Sequence, residues 1–228
     1  KKVDWQLVIL VCSIIIIMIM GVRQSLGLFL DPITSFMKSG KEFFSFAIGV
    51  QAIIWGVVTF FLGILIDKLG PQKVLAFGII SYSSGIFLMS NPTSEFVLFS
   101  ATTLMGFGLG GAGMATMVSI AGKVAPVNKR SLAMGLVAAA ASFGQFAVVL
   151  PTMWMNKEFG WEVSLVVLAS ISISLLLLLP LLNSTNEKNS NVQDFGNSLQ
   201  QTIMFSLKER NYILLISGFF VCGFHVTF

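Results

Sequence analysis

Gly63-Ile64-Leu65-Ile66-Asp67-Lys68-Leu69-Gly70-Pro71-Gln72-Lys73-Val74 is the stretch from which the rest of the chain is read. One apolar run enters it and another leaves it. Between them lie an acid, two lysines and a glycine followed by proline. Gly70 supports a tight turn, because glycine takes backbone angles that other residues avoid. Gly63 is small enough to let its helix approach a neighbour closely. Asp67 ends the incoming helix among backbone N–H groups and basic partners, and Lys73 sits where the next helix starts. The pattern is that of two long helices meeting at a short polar turn.

Outward from this turn the same alternation repeats. Apolar runs extend from about Trp5 to Leu30, Phe43 to Ile66, Val74 to Ser90, Glu95 to Ile120, Leu132 to Met155 and Val163 to Leu182. A seventh starts near Tyr212 and is cut at Phe228. A helix needs about 20 apolar residues to cross the hydrocarbon core. Only helices or closed barrels satisfy the backbone in lipid, and continuous runs without two-residue alternation select helices. The chain is expected to be an all-α membrane protein.

Composition agrees. Of 228 residues, 55% are hydrophobic and 11% charged, and the mean hydropathy is +0.88. Soluble domains carry about 25% charged residues, so a water-soluble globule is excluded, as is disorder. The net charge of +4 comes from basic loops between spans and does not point to nucleic acid. Cys12 and Cys222 fall inside apolar runs and read as small core residues. A single histidine gives no His-based metal cluster.

The distribution of Lys and Arg sets an expected orientation. With the N-terminus in the cytoplasm, ten basic residues lie on that side: Lys1, Lys2, Lys68, Lys73, Lys123, Lys129, Arg130, Lys188, Lys208 and Arg210. Three, Lys38, Lys41 and Lys157, lie outside. The first run is too long for a secretory signal and no small-residue cleavage site follows it. Residues 1–182 read as a six-helix bundle and 183–211 as a cytoplasmic linker with an interfacial helix. Residues 212–228 read as the start of helix seven, so the chain reads as a fragment. The sequon at Asn183 falls on the cytoplasmic side and is discounted. Six helices, a long linker and a further helix is the layout of a two-bundle transporter.

The opening stretch resembles the signature loop of the major facilitator superfamily, Gly-x-Leu-x-Asp-basic-x-Gly-x-x-basic, and falls where that family has it, between helices two and three. Pro71 and Gln72 stand where relatives are often basic. The resemblance implies the N-terminal six-helix bundle of a twelve-helix fold. It also implies that Asp67 belongs to a cytoplasmic gate, with Gly63, Gly70 and Lys73 forming the gating loop. Within the superfamily the chain looks most like the oxalate–formate antiporter and monocarboxylate transporter branch. That likeness rests on Gly21 through Phe29 with Asp31-Pro32, the glycine-rich segment Gly106 through Gly113, and Gly223-Phe224-His225-Val226.

Three residues are candidates for substrate binding. Arg23 lies within the first span, where a charge costs about 2.5–3.5 kcal/mol. A substrate anion held by two parallel hydrogen bonds would offset that; the alternative is an outward reach toward Asp31. His225 lies near the middle of helix seven. Its Gly223-Phe224-His225 echoes Gly21-Val22-Arg23, and it can also carry a proton; the alternative is a hydrogen-bonded packing residue. Gln145 in helix five either lines the cavity or stitches helices together, as do Gln51, Trp55, Thr59 and Ser142, with stitching favoured for Thr59 and Ser142. Gly106, Gly110 and Gly113 share one helix face and form a close-packing stripe. No acid falls mid-span, so a cavity lined by Arg23 is electropositive and favours small anions.

The sequence therefore points to a multi-pass protein of the cell membrane. Its expected activity is to move a small organic anion, a monocarboxylate or dicarboxylate, by alternating access, coupled to a proton or a counter-anion. No cofactor or metal is expected, and no enzymatic activity, since no nucleophile–base pair is present. An exporter of hydrophobic compounds and a non-transporting sensor on the same fold are the competing readings.

Overall fold

A single residue, Gly70, separates the second span from the third, with φ 85° and ψ 154°. Glycine alone occupies this region without strain, so the expected tight turn is confirmed. The computed structural model describes residues 5–185, 213–214 and 217–218, with backbone alone at residues 67 and 183–185. It divides into one unit over Lys1–Lys188 and another over Asn189–Phe228. In the second unit, residues 213–214 and 217–218 are helical and exposed. His225, Cys222 and the greater part of the expected linker lie outside the described residues.

Among the described residues, six helices are long and apolar enough to cross a membrane. They are Trp5–Met37, Lys41–Ile66, Pro71–Met89, Glu95–Val124, Val127–Phe159 and Trp161–Leu182. All six expected runs are present, but several are longer than the hydropathy implied. The first is α1 (Trp5–Ser25), a 3₁₀ turn at Leu26–Phe29, and α2 (Leu30–Met37). Asp31-Pro32 was expected to close this helix; it instead falls in the first turn of α2, where proline's missing N–H costs nothing. The second span is α3 (Lys41–Leu69) and the third is α4 (Pro71–Met89), which starts on its proline. The fourth is broken at Gly113 into α5 (Glu95–Ala112) and α6 (Met114–Val124). The fifth, α7 (Arg130–Ala147) and α8 (Val149–Phe159), breaks at Val148, three residues before Pro151. The sixth, α9 (Trp161–Ser174), tightens into a 3₁₀ helix over Leu175–Thr185.

A second one-residue junction joins the fifth span to the sixth. Gly160 has φ 85° and ψ 164°, nearly the angles of Gly70.

The core lies between α1, α4 and the fourth span. Ile15, Ile16, Ile19, Tyr82, Ile86, Leu98 and Met105 are fully buried there. Glycines bring the backbones together. The stripe expected on the fourth span is present and faces α3: a Cβ on Gly106 would meet the Gln51 carbonyl at 2.9 Å and one on Gly110 would meet Val58 at 2.6 Å. The opposite face carries a second stripe. A Cβ on Gly108 would meet the Tyr82 backbone at 2.6 Å, and one on Gly111 would meet Gly78 at 2.8 Å. Gly21 and Gly144 likewise seat α1 against the fifth span.

Gly63 does not do this. A Cβ there meets nothing within 4 Å, so the close contact expected of it is not made inside this unit. Phe60, Phe61 and Leu65 beside it face outward, while Leu62 and Ile66 turn the other way and pack on Val74.

The 3₁₀ segments of the first and sixth spans each have a carbonyl caught by an amide from another span. Asn156 Nδ2 donates to Leu28 O at 3.3 Å, and Gln72 Nε2 donates to Leu179 O at 2.8 Å. Overwinding leaves carbonyls poorly satisfied, and these amides take them up.

Candidate functional site

Arg23 sits near the end of α1, on the last turn before the 3₁₀ segment. Gly21, two residues earlier, faces the fifth span. Two residues turn an α-helix by about 200°, so Arg23 faces the other way. Its guanidinium carbon lies 4.9 Å above the centre of the Trp55 ring of α3. The flat guanidinium stacks on the electron-rich indole face, an attraction of about 2 kcal/mol when both groups are shielded from water.

Asp31 does not hold Arg23. It pairs with Lys41 at 2.6 Å, and both side chains of that pair are well exposed. No carboxylate lies within ion-pair distance of Arg23 among the described residues. The arginine is half-buried, with an aromatic face on one side and no anion on the other.

Two further elements support this pair, one holding α1 below Arg23 and one meeting the Trp55 ring. Tyr82 of α4 is fully buried and its hydroxyl donates to Ile19 O at 3.0 Å. Ile19 is one turn below Arg23 on the same face of α1. The indole Nε1 of Trp55 lies 3.2 Å from where a Cβ would stand on Gly113. Only glycine at the break of the fourth span gives the ring this room. Beyond the break α6 starts afresh, Met117 N–H bonding Gly113 O at 3.1 Å, and the Thr116 hydroxyl donates across the break to Gly110 O at 3.2 Å. Met114 and Ala115, the first residues of α6, are exposed. Arg23, Trp55 and the positive end of a half-helix thus stand together partway through the spans.

Gln51 is one turn from Trp55 on α3. It is 3% exposed and its Nε2 has no hydrogen-bond partner among the described residues. Thr59, one turn the other way, donates to Trp55 O at 2.7 Å. Ser142 donates to Ala138 O at 3.5 Å. Both hydroxyls turn back on their own helices rather than stitching two together or lining a cavity. Gln145 is half-buried on α7 beside Gly144, whose own contact is with Ile17 of α1. The structure therefore brings Arg23 to α3 and leaves Gln145 on the fifth span's side of α1. His225 lies outside the described residues.

Of the residues expected to form a gating loop, Gly70 makes the turn and Lys73 is exposed in the first turn of α4. Asp67 occupies the last turn of α3, where the helix dipole disfavours an acid. Tyr82 was missed by sequence reasoning. The available signal was its rarity, since the chain has two tyrosines and a buried phenol needs an acceptor.

A six-span helical unit closed by the Gly70 turn is matched by comparison with known families: residues 8–228 fit the Major Facilitator Superfamily. The chain belongs to this superfamily. Its architecture is consistent with the N-terminal half of a major facilitator fold, and it is an integral, multi-pass membrane protein. It is 23% identical over 210 residues to the uncharacterized MFS-type transporter YcxA of Bacillus subtilis (strain 168), covering 89% of this chain and 50% of that protein. It is 26% identical over 167 residues to the agnestins efflux protein AgnL12 of Paecilomyces divaricatus, covering 72% of the chain and 36% of that protein. Over 152 residues it is 32% identical to the vesicular acetylcholine transporter of Drosophila melanogaster, covering 63% and 26% respectively. The chain thus spans half or less of the length of the curated relatives it matches, and major facilitator transporters are what it resembles throughout.

Proposed function

We propose that the protein carrying this chain is a secondary transporter of a small organic anion, a monocarboxylate or dicarboxylate, working by alternating access across the cell membrane with its N-terminus in the cytoplasm. The observation that carries this reading is Arg23: a cation partway through the first span, stacked on Trp55 and without a carboxylate partner among the described residues. The indole offsets part of the cost of placing the charge there and leaves the guanidinium's edge donors for an acid. The start of α6 beside the same ring adds a second positive pole. Gln145 and His225 are proposed to complete the site from the fifth span and from helix seven, with His225 or a counter-anion providing the coupling. The oxalate–formate and monocarboxylate branch fits this chemistry. Asp67, with Gly63, Gly70 and Lys73, is proposed to gate the cytoplasmic side.

The test is calorimetry of a small carboxylate panel on the purified full-length protein, wild type against Arg23→Gln. Binding of one acid that is lost in the variant, while the variant still melts cooperatively, is the expected result. Unchanged affinity in the variant, or no acid bound at all, would sink the anion reading.

A second reading, export of hydrophobic compounds, is favoured by the fungal relative named for efflux. In that case Arg23→Gln leaves transport intact and Trp55→Ala lowers it.

A further inference from the structure

Two cavities adjoin in the groove between α4 and α9, away from Arg23. One, about 300 Å³, is lined by residues including Ser83, Phe87, Leu88, Ala169, Ser170 and Ile173. The other, about 390 Å³, is lined by Ser90, Asn91, Glu162, Val163 and Val166. Leu88 and Ser90, and Val166 and Ala169, are within one helical turn of each other, so the two form one groove along the same pair of helices. It is graded in polarity. Its floor and walls are exposed apolar groups, Phe87, Leu88, Val166 and Ile173. The polar groups that do line it are partly used up: Ser90 and Ser170 donate to their own helices at 2.7 and 2.8 Å.

The mouth lies at the membrane boundary, where α4 ends at Met89 and α9 begins at Trp161. It offers one charge, the Glu162 carboxylate. Glu162 is exposed, and among the described residues no cation pairs with it. Beside it is the Asn91 side-chain amide, which both donates and accepts. The groove thus presents an acid and an amide at headgroup level and a slot of hydrocarbon below them.

We infer that this groove binds a glycerophospholipid with a primary-ammonium headgroup, such as phosphatidylethanolamine. The ammonium's three N–H donors face Glu162, the Asn91 amide N–H serves a phosphate oxygen, and one acyl chain lies between Phe87 and Ile173. A choline headgroup has no N–H to give the carboxylate, and a glycerol headgroup has no positive charge to meet it. Charge excludes the glycerol headgroup and hydrogen bonding disfavours choline, so the two together select one headgroup at a depth where all bilayer lipids are present. The inference is independent of what the protein transports.

Native mass spectrometry of the full-length protein tests it, using an equimolar mixture of phosphatidylethanolamine, phosphatidylcholine and phosphatidylglycerol with identical acyl chains. An exposed ion pair is worth up to about 1 kcal/mol, which is about fivefold in occupancy. Wild type should retain the ethanolamine lipid over the choline lipid by roughly that ratio, and Glu162→Gln should bring the ratio to about one. Glu162→Lys should turn the preference toward the glycerol lipid. Ala169→Phe, which fills the slot, should reduce retention of all three. Equal retention of the three lipids by wild type overturns the inference. So does an ethanolamine preference that survives Glu162→Gln, or a second copy of the protein occupying the groove in place of lipid. Circular dichroism melts of each variant show whether the protein is folded, and Glu162→Gln at an exposed position keeps the test readable if the slot-filling variant is not.

Discussion

The second and fourth spans are both glycine-containing apolar helices, packed side by side, and their glycines serve opposite ends. On the fourth span, a Cβ at Gly106, Gly108, Gly110 or Gly111 would stand within 3 Å of a neighbouring helix. On the second, Gly49, Gly56 and Gly63 have open space where a Cβ would go. Two-thirds of the best window of the fourth span is buried, 67%, against 11% of the second. The fourth span is wedged between α3 and α4 by small residues on both faces. The second touches it with one face and turns Phe46, Phe60 and Phe61 outward. A glycine in a membrane helix is therefore not by itself a contact. What matters is whether another backbone lies against it.

Four variants test this contrast. Gly108→Val should be the most damaging, because its side chain runs into the backbone of Tyr82. More than about 3 kcal/mol is expected, read as loss of a monodisperse, cooperatively melting protein; a normal melt would refute the close approach of α4 and α5. Gly110→Ala meets Val58 Cγ1 at 2.6 Å, with Val58 Cβ at 3.0 Å and the Thr59 backbone nitrogen at 3.2 Å behind it, and about 1–3 kcal/mol is expected in the same melt. Trp55→Leu removes the cation–π contact, which should cost about 1 kcal/mol. The cost of the substitution should fall by that amount when Arg23 is already Gln, the remainder being lost ring packing, a double-mutant cycle that isolates the pair. Gly63→Ala should leave stability unchanged or raise it by about 0.5–1 kcal/mol, as for an exposed helical glycine. If transport nonetheless falls in that variant, the open face of α3 is needed for a contact made during the cycle. If both are unchanged, Gly63 has no role at all.

The same contrast explains what was legible in the sequence. Every span announced itself through apolar length, because lipid demands it. The Gly70 turn was readable because glycine followed by proline at a helix start has few other meanings. The ends of the first and fifth spans were not, since Pro32 and Pro151 sit in restarted first turns that proline tolerates, and hydropathy does not sense a restart. At the site, Arg23 stood out by the cost of its charge. Its partner did not, because Trp55 belongs to another helix, and nothing in a single span says which aromatic will lie under a given cation. Tyr82 and the role of Gly113 depend likewise on helix pairing. Gly63 failed for the converse reason: the chemistry that permits a contact does not supply the neighbour.

The tightened end of the sixth span has a consequence for the kind of bilayer this protein suits. A 3₁₀ helix rises about 2.0 Å per residue against about 1.5 Å for an α-helix. Over the eleven residues Leu175–Thr185 the difference is about 5 Å, close to a full α-helical turn. The segment thus reaches farther than its residue count suggests. Hydrophobic thickness differs among membranes by a few ångströms, and matching it sorts proteins between them. This overwound end, its Leu179 carbonyl steadied by Gln72, lets the 22-residue sixth span reach toward the length of the 33-residue first and fifth spans and match a thicker hydrocarbon layer without a longer sequence.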